Sequence, residues 1–409
     1  MKKDLFLTFI SQAIIFLGLF ACYKLALLVL GGSGFSEYLI SRRFVAMIQP
    51  LAMLGLGIGI PRYISCETAS NNSRNPDIYF ISGLLIVLAV SAAIIAASYA
   101  MNPYLAALLF GSSKYAGLSI PIALVLVGNT LTALCYAFYR GKILFFQANA
   151  LALVNFAAVP VLSFFFNKNL AGVLMFNGTT TILLSAVFVI LIFRRIKLDL
   201  ADLSSSSKKL IYFGMQRVPG EFAMGALLSL PVFIALHRVG MEKAGYIAFG
   251  VSAINAIGQL LSPVGLVLLP VASKLLAGGE KILLRKYVRR AVFASFCISS
   301  FLLAGFLLFG SSALQLYMGS NIPDLFVAVL IALISGFGYS VYTSLRSFID
   351  ALSVNAVNTA NIFICLAVFT AFSVFARSYL LILANFAFSL SLLGVLSVVS
   401  VSRLAKDNK

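Results

Sequence analysis

The sequence predicts an all-α, polytopic membrane protein with about twelve transmembrane helices in two parallel six-helix repeats. Composition, internal repetition and charge distribution carry that expectation. Hydrophobic residues make up 61% of the 409 and charged residues 10%, and mean hydropathy is +1.05. Apolar stretches of twenty or more residues recur from end to end, a balance that suits lipid as solvent.

The repeat is written in paired anchors. Tyr38-Leu39 opens an apolar, Gly-rich run ending at Ile60-Pro61, and Tyr246-Ile247 opens a similar run ending at Leu269-Pro270. Leu109-Phe110-Gly111-Ser112 matches Tyr317-Met318-Gly319-Ser320, and Phe138 matches Phe348. All these pairs lie 208 to 210 positions apart. Six helices per half is an even number, so both halves insert with one orientation. Two similar membrane halves read as a transporter, because lobes that rock against each other give alternating access.

In chain order the expected spans are 5–30, 36–62, 79–100, 118–138, 145–166 and 170–193, then 210–236, 244–273, 291–310, 323–345, 352–375 and 378–402. The expected domains are an N-terminal lobe over 1–197, a cytoplasmic linker over 198–209 and a C-terminal lobe over 210–409. The linker carries Ser204-Ser205-Ser206-Ser207, a run that suits a flexible joint. Met1-Lys2-Lys3 precedes a stretch too long for a signal core, so it reads as the first helix.

The net charge of +18 is distributed as membrane topology requires, which sets nucleic acid aside as a partner. With both termini cytoplasmic, 21 of the 30 Lys and Arg lie on the inner side and five on the outer side. The remaining four, Lys24, Arg42, Arg43 and Arg217, fall within spans. Five widely spaced cysteines suggest neither disulfides nor a metal site. Asn71-Asn72-Ser73 and Asn177-Gly178-Thr179 match a glycosylation pattern only weakly, the second because it starts inside a span. The single histidine, His237, reads as an interfacial residue. No phosphate-binding Gly-Lys-Ser/Thr loop is present, so ATP is not expected to drive the chain. No loop is long enough for an inserted catalytic domain, and no enzymatic role, metal or cofactor is expected.

Charges inside spans cost about 2.5–3.5 kcal/mol each on insertion scales, so they face the protein interior or a wet cavity. Lys24 on the first helix and Arg42 and Arg43 on the second are expected at similar depth. Adjacent residues on a helix differ by about 100° in direction, so only one arginine can face a given point while the other snorkels outward. Glu37 is placed to pair with Arg42 or Lys24. In the seventh helix, Arg217 and Glu221 share a face across a kink at Pro219-Gly220. Gln49 in the second helix, and Asn255 and Gln259 in the eighth, add amides that can hydrogen-bond sugar hydroxyls or join helices. The binding candidates are therefore Lys24, Arg42, Arg43, Arg217, Gln49, Asn255 and Gln259, and the coupling or gating candidates Glu37, Glu221 and Pro219. A cavity of cations and amides suggests an anionic polar cargo, and a flippase for a lipid-linked sugar fits it, with pyrophosphate against the cations.

The stretch from Leu27 through Gly31-Gly32-Ser33-Gly34-Phe35-Ser36-Glu37-Tyr38, with Arg43, Leu54-Gly55-Leu56-Gly57 and Pro61-Arg62-Tyr63, resembles the polysaccharide-transporter branch of the MATE-like (multidrug/oligosaccharidyl-lipid/polysaccharide) superfamily. Ala244-Gly245-Tyr246-Ile247-Ala248-Phe249, Gln259-Leu260-Leu261-Ser262-Pro263 and Pro270-Val271-Ala272-Ser273-Lys274 resemble its second-repeat counterpart. O-antigen flippases of the Wzx type are the most similar in pattern. The resemblance implies a V-shaped two-lobe bundle in the inner membrane of a bacterium. It implies undecaprenyl-pyrophosphate-linked O-antigen or capsule repeat units as cargo, for lipopolysaccharide or other polysaccharide biosynthesis. It also implies coupling to H+ or Na+. The alternatives are a multidrug or cation antiporter of the same superfamily, and a membrane scaffold for a polysaccharide polymerase and chain-length regulator. The multidrug antiporters usually carry an acid within the first helix, where this chain has Lys24.

Overall fold

The computed structural model describes residues 2–69, 75–196, 202–277, 281–352 and 356–407. No strand occurs among them. Asn71-Asn72-Ser73 and the linker's first residues, 198–201, lie outside the described residues.

The first helical run, α1 (Lys2–Met53), is two arms hinged at Gly31, whose φ of 72° only glycine adopts readily. The rings of Tyr23 and Tyr38 meet at 6.3 Å between centroids. Fifteen residues of straight helix would hold them about 22 Å apart, so the second arm folds back along the first. The expected loop at 31–35 is thus a single residue, because Gly32 and Gly34 remain compatible with helix once Gly31 has made the turn. The second arm ends at Met53, three residues after Pro50, and Leu54 and Gly55 take left-handed φ values before α2 (Leu56–Ala69).

The next elements follow the expected spans closely: α3 (Ile78–Ala100), α5 (Ser119–Gly141) and α8 (Leu170–Phe193). Between α3 and α5, the residues expected as a loop form α4 (Asn102–Phe110) and a 3₁₀ turn over Ser113–Leu118. The fifth span divides into α6 (Phe145–Leu153), a π turn over Val154–Ala158 and α7 (Val159–Phe166).

The seventh expected span, 210–236, is corrected. The Ser run and the basic pair Lys208-Lys209 are not an open linker but belong to α9 (Leu203–Met215). The chain breaks at Gln216-Arg217 and resumes as α10 (Val218–Val239). Pro219 sits in the first turn of α10 rather than at a mid-helix kink, because the first turn has no use for the N–H that proline lacks. The remaining helices are α11 (Met241–Ala277), α12 (Lys281–Met318), α13 (Pro323–Leu352), α14 (Val357–Phe375) and α15 (Tyr379–Asp407). Helix α12 outruns its expected span of 291–310 at both ends.

Ten of the described segments are long and apolar enough to cross a membrane. One of them, Leu7–Met53, would be about 70 Å long if straight, more than twice the hydrocarbon thickness, and its fold-back at Gly31 makes it two crossings. Large apolar side chains such as Leu17, Leu183, Phe301 and Phe375 are exposed on the helix flanks, as lipid-facing residues must be. The chain is a multi-pass membrane protein.

Packing divides the chain into two compact units, Met1–Gly225 and Ala226–Lys409. In the first, Ile60, Phe80, Leu134 and Phe138 form the core where α2, α3, α5 and α8 meet. In the second, Leu284, Leu345, Phe348 and Val401 join α12, α13 and α15. Short polar bridges tie neighbouring helices, Thr132 to Ser185 at 2.8 Å in the first unit and Ser295 to Ser344 at 2.7 Å in the second. The repeat anchors keep their local roles. Gly111 and Gly319 end α4 and α12 with φ of 72° and 80°, and Phe138 and Phe348 are core residues of their own units. Gly31 and Gly240, also left-handed, precede the two helices that open with the Tyr38 and Tyr246 anchors.

The break after Met53 is held by a backbone contact with α9. A Cβ on Gly214 would overlap the Leu54 carbonyl oxygen, and one on Gly55 would lie 2.7 Å from the Gly214 Cα. Gly214→Ala is therefore expected to destabilise the protein by about 1–3 kcal/mol. Gly305→Ala, where nothing lies within 4 Å, serves as the control. Thermal melting of the detergent-solubilised protein checks this, with a lowered midpoint for the first variant only.

Candidate functional site

Within the first unit lies a cavity of about 190 Å³. The second arm of α1 contributes Tyr38, Ser41, Arg42, Val45, Ala46 and Gln49. Their spacing of three and four residues is one helix face, so a polar stripe of an otherwise apolar span is turned inward. The other walls each supply one amide. Asn129 comes from α5, Asn177 from α8, and Asn155 from the π turn between α6 and α7. A π turn widens the helix by one residue, which re-aims the side chain it carries. Here that side chain is Asn155.

Arg42 is the charged residue of this lining, and none of the lining residues is acidic. Its Nη1 donates to the Tyr38 hydroxyl at 3.3 Å, and its guanidinium lies 5.9 Å from the Tyr38 ring centroid. Tyr38 is 1% exposed and wedged against Phe164 of α7. This packing fixes the arginine at the cavity wall. Asn155 is 1% exposed. Its Nδ2 donates to Thr132 at 3.1 Å, while its Oδ1 is buried without a hydrogen-bond partner. The Asn177 Oδ1 accepts from Thr181 at 3.3 Å. The site thus offers a fixed cation and several amide groups, with a buried, unmatched acceptor on Asn155 in its wall. That set can bind an anion carrying hydroxyls, because guanidinium–oxyanion bonds strengthen out of water while amides satisfy either polarity.

Of the residues singled out from sequence, Arg42 and Gln49 line this cavity together. Arg43 is 6% exposed and points elsewhere into the protein, so it does not snorkel outward as expected. The cause is local packing, since its helix is covered on that side as well. Lys24 is half-buried and lies outside the cavity lining. Glu37 is hydrogen-bonded to Tyr115 and sits beside Lys114, the 3₁₀ turn having brought those residues to it in place of Arg42 or Lys24. Arg217 is exposed and rests on the Phe213 ring at 4.8 Å. The expected ion pair with Glu221 is not formed, because the break at Gln216-Arg217 turns Arg217 back onto α9. Glu221 and Pro219 lie in the first turn of α10. Asn255 is half-buried in α11 of the second unit, and the side chain of Gln259 lies outside the described residues.

Sequence reasoning missed Asn129, Asn155, Asn177, Tyr38 and Ser41. Lone amides inside apolar spans carry the same signal as charges at lower cost. Asn177 drew notice only as part of a glycosylation pattern. Its burial in the middle of α8 excludes that role.

No family model and no curated protein matches the sequence. Solved structures do. An inward-facing multidrug resistance MATE family transporter of the MOP superfamily superposes with a TM-score of 0.76 at 15% identity, covering 97% of this chain and 96% of its own. The MATE transporter VcmN of Vibrio cholerae, in its bent form, gives 0.67 at 16% identity over 99% and 97%. A MOP superfamily transporter from Pyrococcus furiosus, described as having a binding pocket of reverse polarity that suggests a different function, gives 0.71 at 14% identity over 100% and 97%. At these identities the likeness establishes architecture, and the chain has the all-helical fold of the MATE transporters of the MOP superfamily.

Proposed function

We propose that the chain is a flippase that moves an anionic, glycan-bearing lipid, of the undecaprenyl-pyrophosphate-linked oligosaccharide class, across a bacterial inner membrane. The observation that carries this reading is Arg42 facing a cavity of amides with no carboxylate in the lining. An intramembrane guanidinium without an acidic neighbour is costly, and an anionic cargo group offsets that cost while bound. The volume of 190 Å³ holds about six waters. That is room for one phosphate or one sugar of such a cargo, so the cavity would hold its head group in part rather than whole. In this reading the chain performs no covalent chemistry, and an H+ or Na+ gradient supplies the free energy.

A multidrug or cation antiporter is the second reading, favoured by the descriptions of the structural neighbours as multidrug transporters. The sign of the cavity separates the two. A site for cations gains from carboxylates, and this lining offers a guanidinium instead.

Three outcomes follow from the flippase reading. Arg42→Gln is expected to lower transport at least tenfold at equal protein level, with Arg43→Gln much nearer to wild type. Accumulation of lipid-linked oligosaccharide, measured by mass spectrometry in a deletion strain complemented with each variant, provides the readout. Asn129→Asp puts a carboxylate into the same lining as Arg42 with almost no change in shape. It is expected to cancel the cavity's field, reduce flipping at least tenfold and raise efflux of a cationic dye. Wild-type dye efflux with normal lipid-linked sugars in the deletion strain would instead establish the antiporter. Glu221, half-buried at the start of α10, is the carboxylate proposed for coupling. Glu221→Gln is expected to flatten the pH or sodium dependence of transport in proteoliposomes, and an unchanged dependence would assign that residue to packing.

A further inference from the structure

The second unit contains a different kind of recess. Helices α12 and α15 both pack on α13, and their outer flanks leave a groove of about 530 Å³. Leu284, Val288 and Val292 line it from α12, and Val398, Val401 and Ser402 from α15. Arg285 and Arg289 line it beside Leu284 and Val288, in the first turns of α12. They are four residues apart on one helix face, so their guanidinium groups can converge on a single oxyanion. Both are exposed, and no acidic residue lines the groove.

We propose that this groove binds an anionic glycerophospholipid, with the phosphate held by Arg285 and Arg289 and the upper acyl chain laid along the valines. The occupant is argued from charge and position. Two exposed arginines with no acidic residue in the lining call for an anion, while the rest of the lining apart from Ser402 is apolar and offers a free phosphate nothing to bury. Phe293 and Phe296, the next residues of α12 beyond Val292 to be exposed and aromatic, extend the apolar surface on which an acyl chain could lie. The same helix end carries Lys281, Lys286 and Arg290. By the positive-inside rule it faces the leaflet in which anionic lipids are concentrated. This site is independent of the Arg42 cavity and of the nature of the cargo.

Native mass spectrometry of the full-length protein, incubated with equimolar phosphatidylglycerol and phosphatidylcholine and then freed of detergent, tests the proposal. The wild type is expected to retain phosphatidylglycerol at least fivefold over phosphatidylcholine. The double variant Arg285→Gln/Arg289→Gln should lose that preference. Lys286→Gln/Arg290→Gln removes the same charge from residues outside the groove and should keep it. Val398→Trp, at an exposed position of the lining, fills the groove without touching a charge and should also abolish retention, which covers the case in which the double arginine variant fails to fold. Equal loss in both charge variants, or wild-type retention after Val398→Trp, would reduce the effect to diffuse surface charge and overturn the groove. Displacement of the lipid by inorganic phosphate at matched ionic strength would overturn the lipid as occupant.

Discussion

The structure depends on one constraint, that a backbone crossing hydrocarbon must satisfy its own hydrogen bonds. Helices meet it everywhere except where the chain must turn or widen, so each departure has to be stabilised locally. The departures here are few and specific. Gly31 reverses α1 with a single left-handed residue. Leu54-Gly55 interrupts the second span where α9 approaches closely enough to leave no room for a side chain on Gly214. The π turn at Val154–Ala158 widens the fifth span. The first and third of these departures shape the Arg42 cavity, one by folding the polar stripe of α1 back into the unit, the other by turning Asn155 toward it.

The treatment of charge follows from the same solvent. Most cations gather at helix ends, where water and anionic lipid stabilise them. Individual cations are satisfied in different ways. Lys243 pairs with Asp324, and Arg238 donates to the Ala376 carbonyl just past α14 at 2.6 Å, where the helix dipole favours a cation. Arg217 spreads its charge over the Phe213 ring. Arg42 rests on Tyr38 and lines the cavity of the first unit. It differs from these in lining a cavity whose other polar residues are a phenol, a serine and amides.

The twofold repetition is visible at the level of turns and cores more than of chemistry. Gly111 and Gly319 terminate equivalent helices, Gly31 and Gly240 introduce the next equivalent pair, and Phe138 and Phe348 occupy equivalent cores. Yet the Tyr38 arm presents an arginine four residues on, where the Tyr246 helix presents Gly250. Tyr246 donates instead to Glu242 on its own helix. Backbone geometry has been kept between the halves while side-chain chemistry has diverged, as expected if turns are constrained by sterics and cavities by cargo.

The sequence by itself determined the solvent, the all-helical class, most helix limits and the internal repeat, because apolar length and glycine placement act locally and show in any window of twenty residues. It also marked Arg42 and Gln49, since polar groups inside a span stand out against their neighbours. Only the tertiary structure decided which of Arg42 and Arg43 faces the cavity, that Glu37 belongs to Tyr115, that Arg217 and Glu221 stay apart, and that Asn129, Asn155 and Asn177 converge. These outcomes depend on the rotation of one helix against another and on a break or a π turn that re-phases everything after it. A helix reads the same in sequence at every rotation about its axis, and contacts with other segments select one.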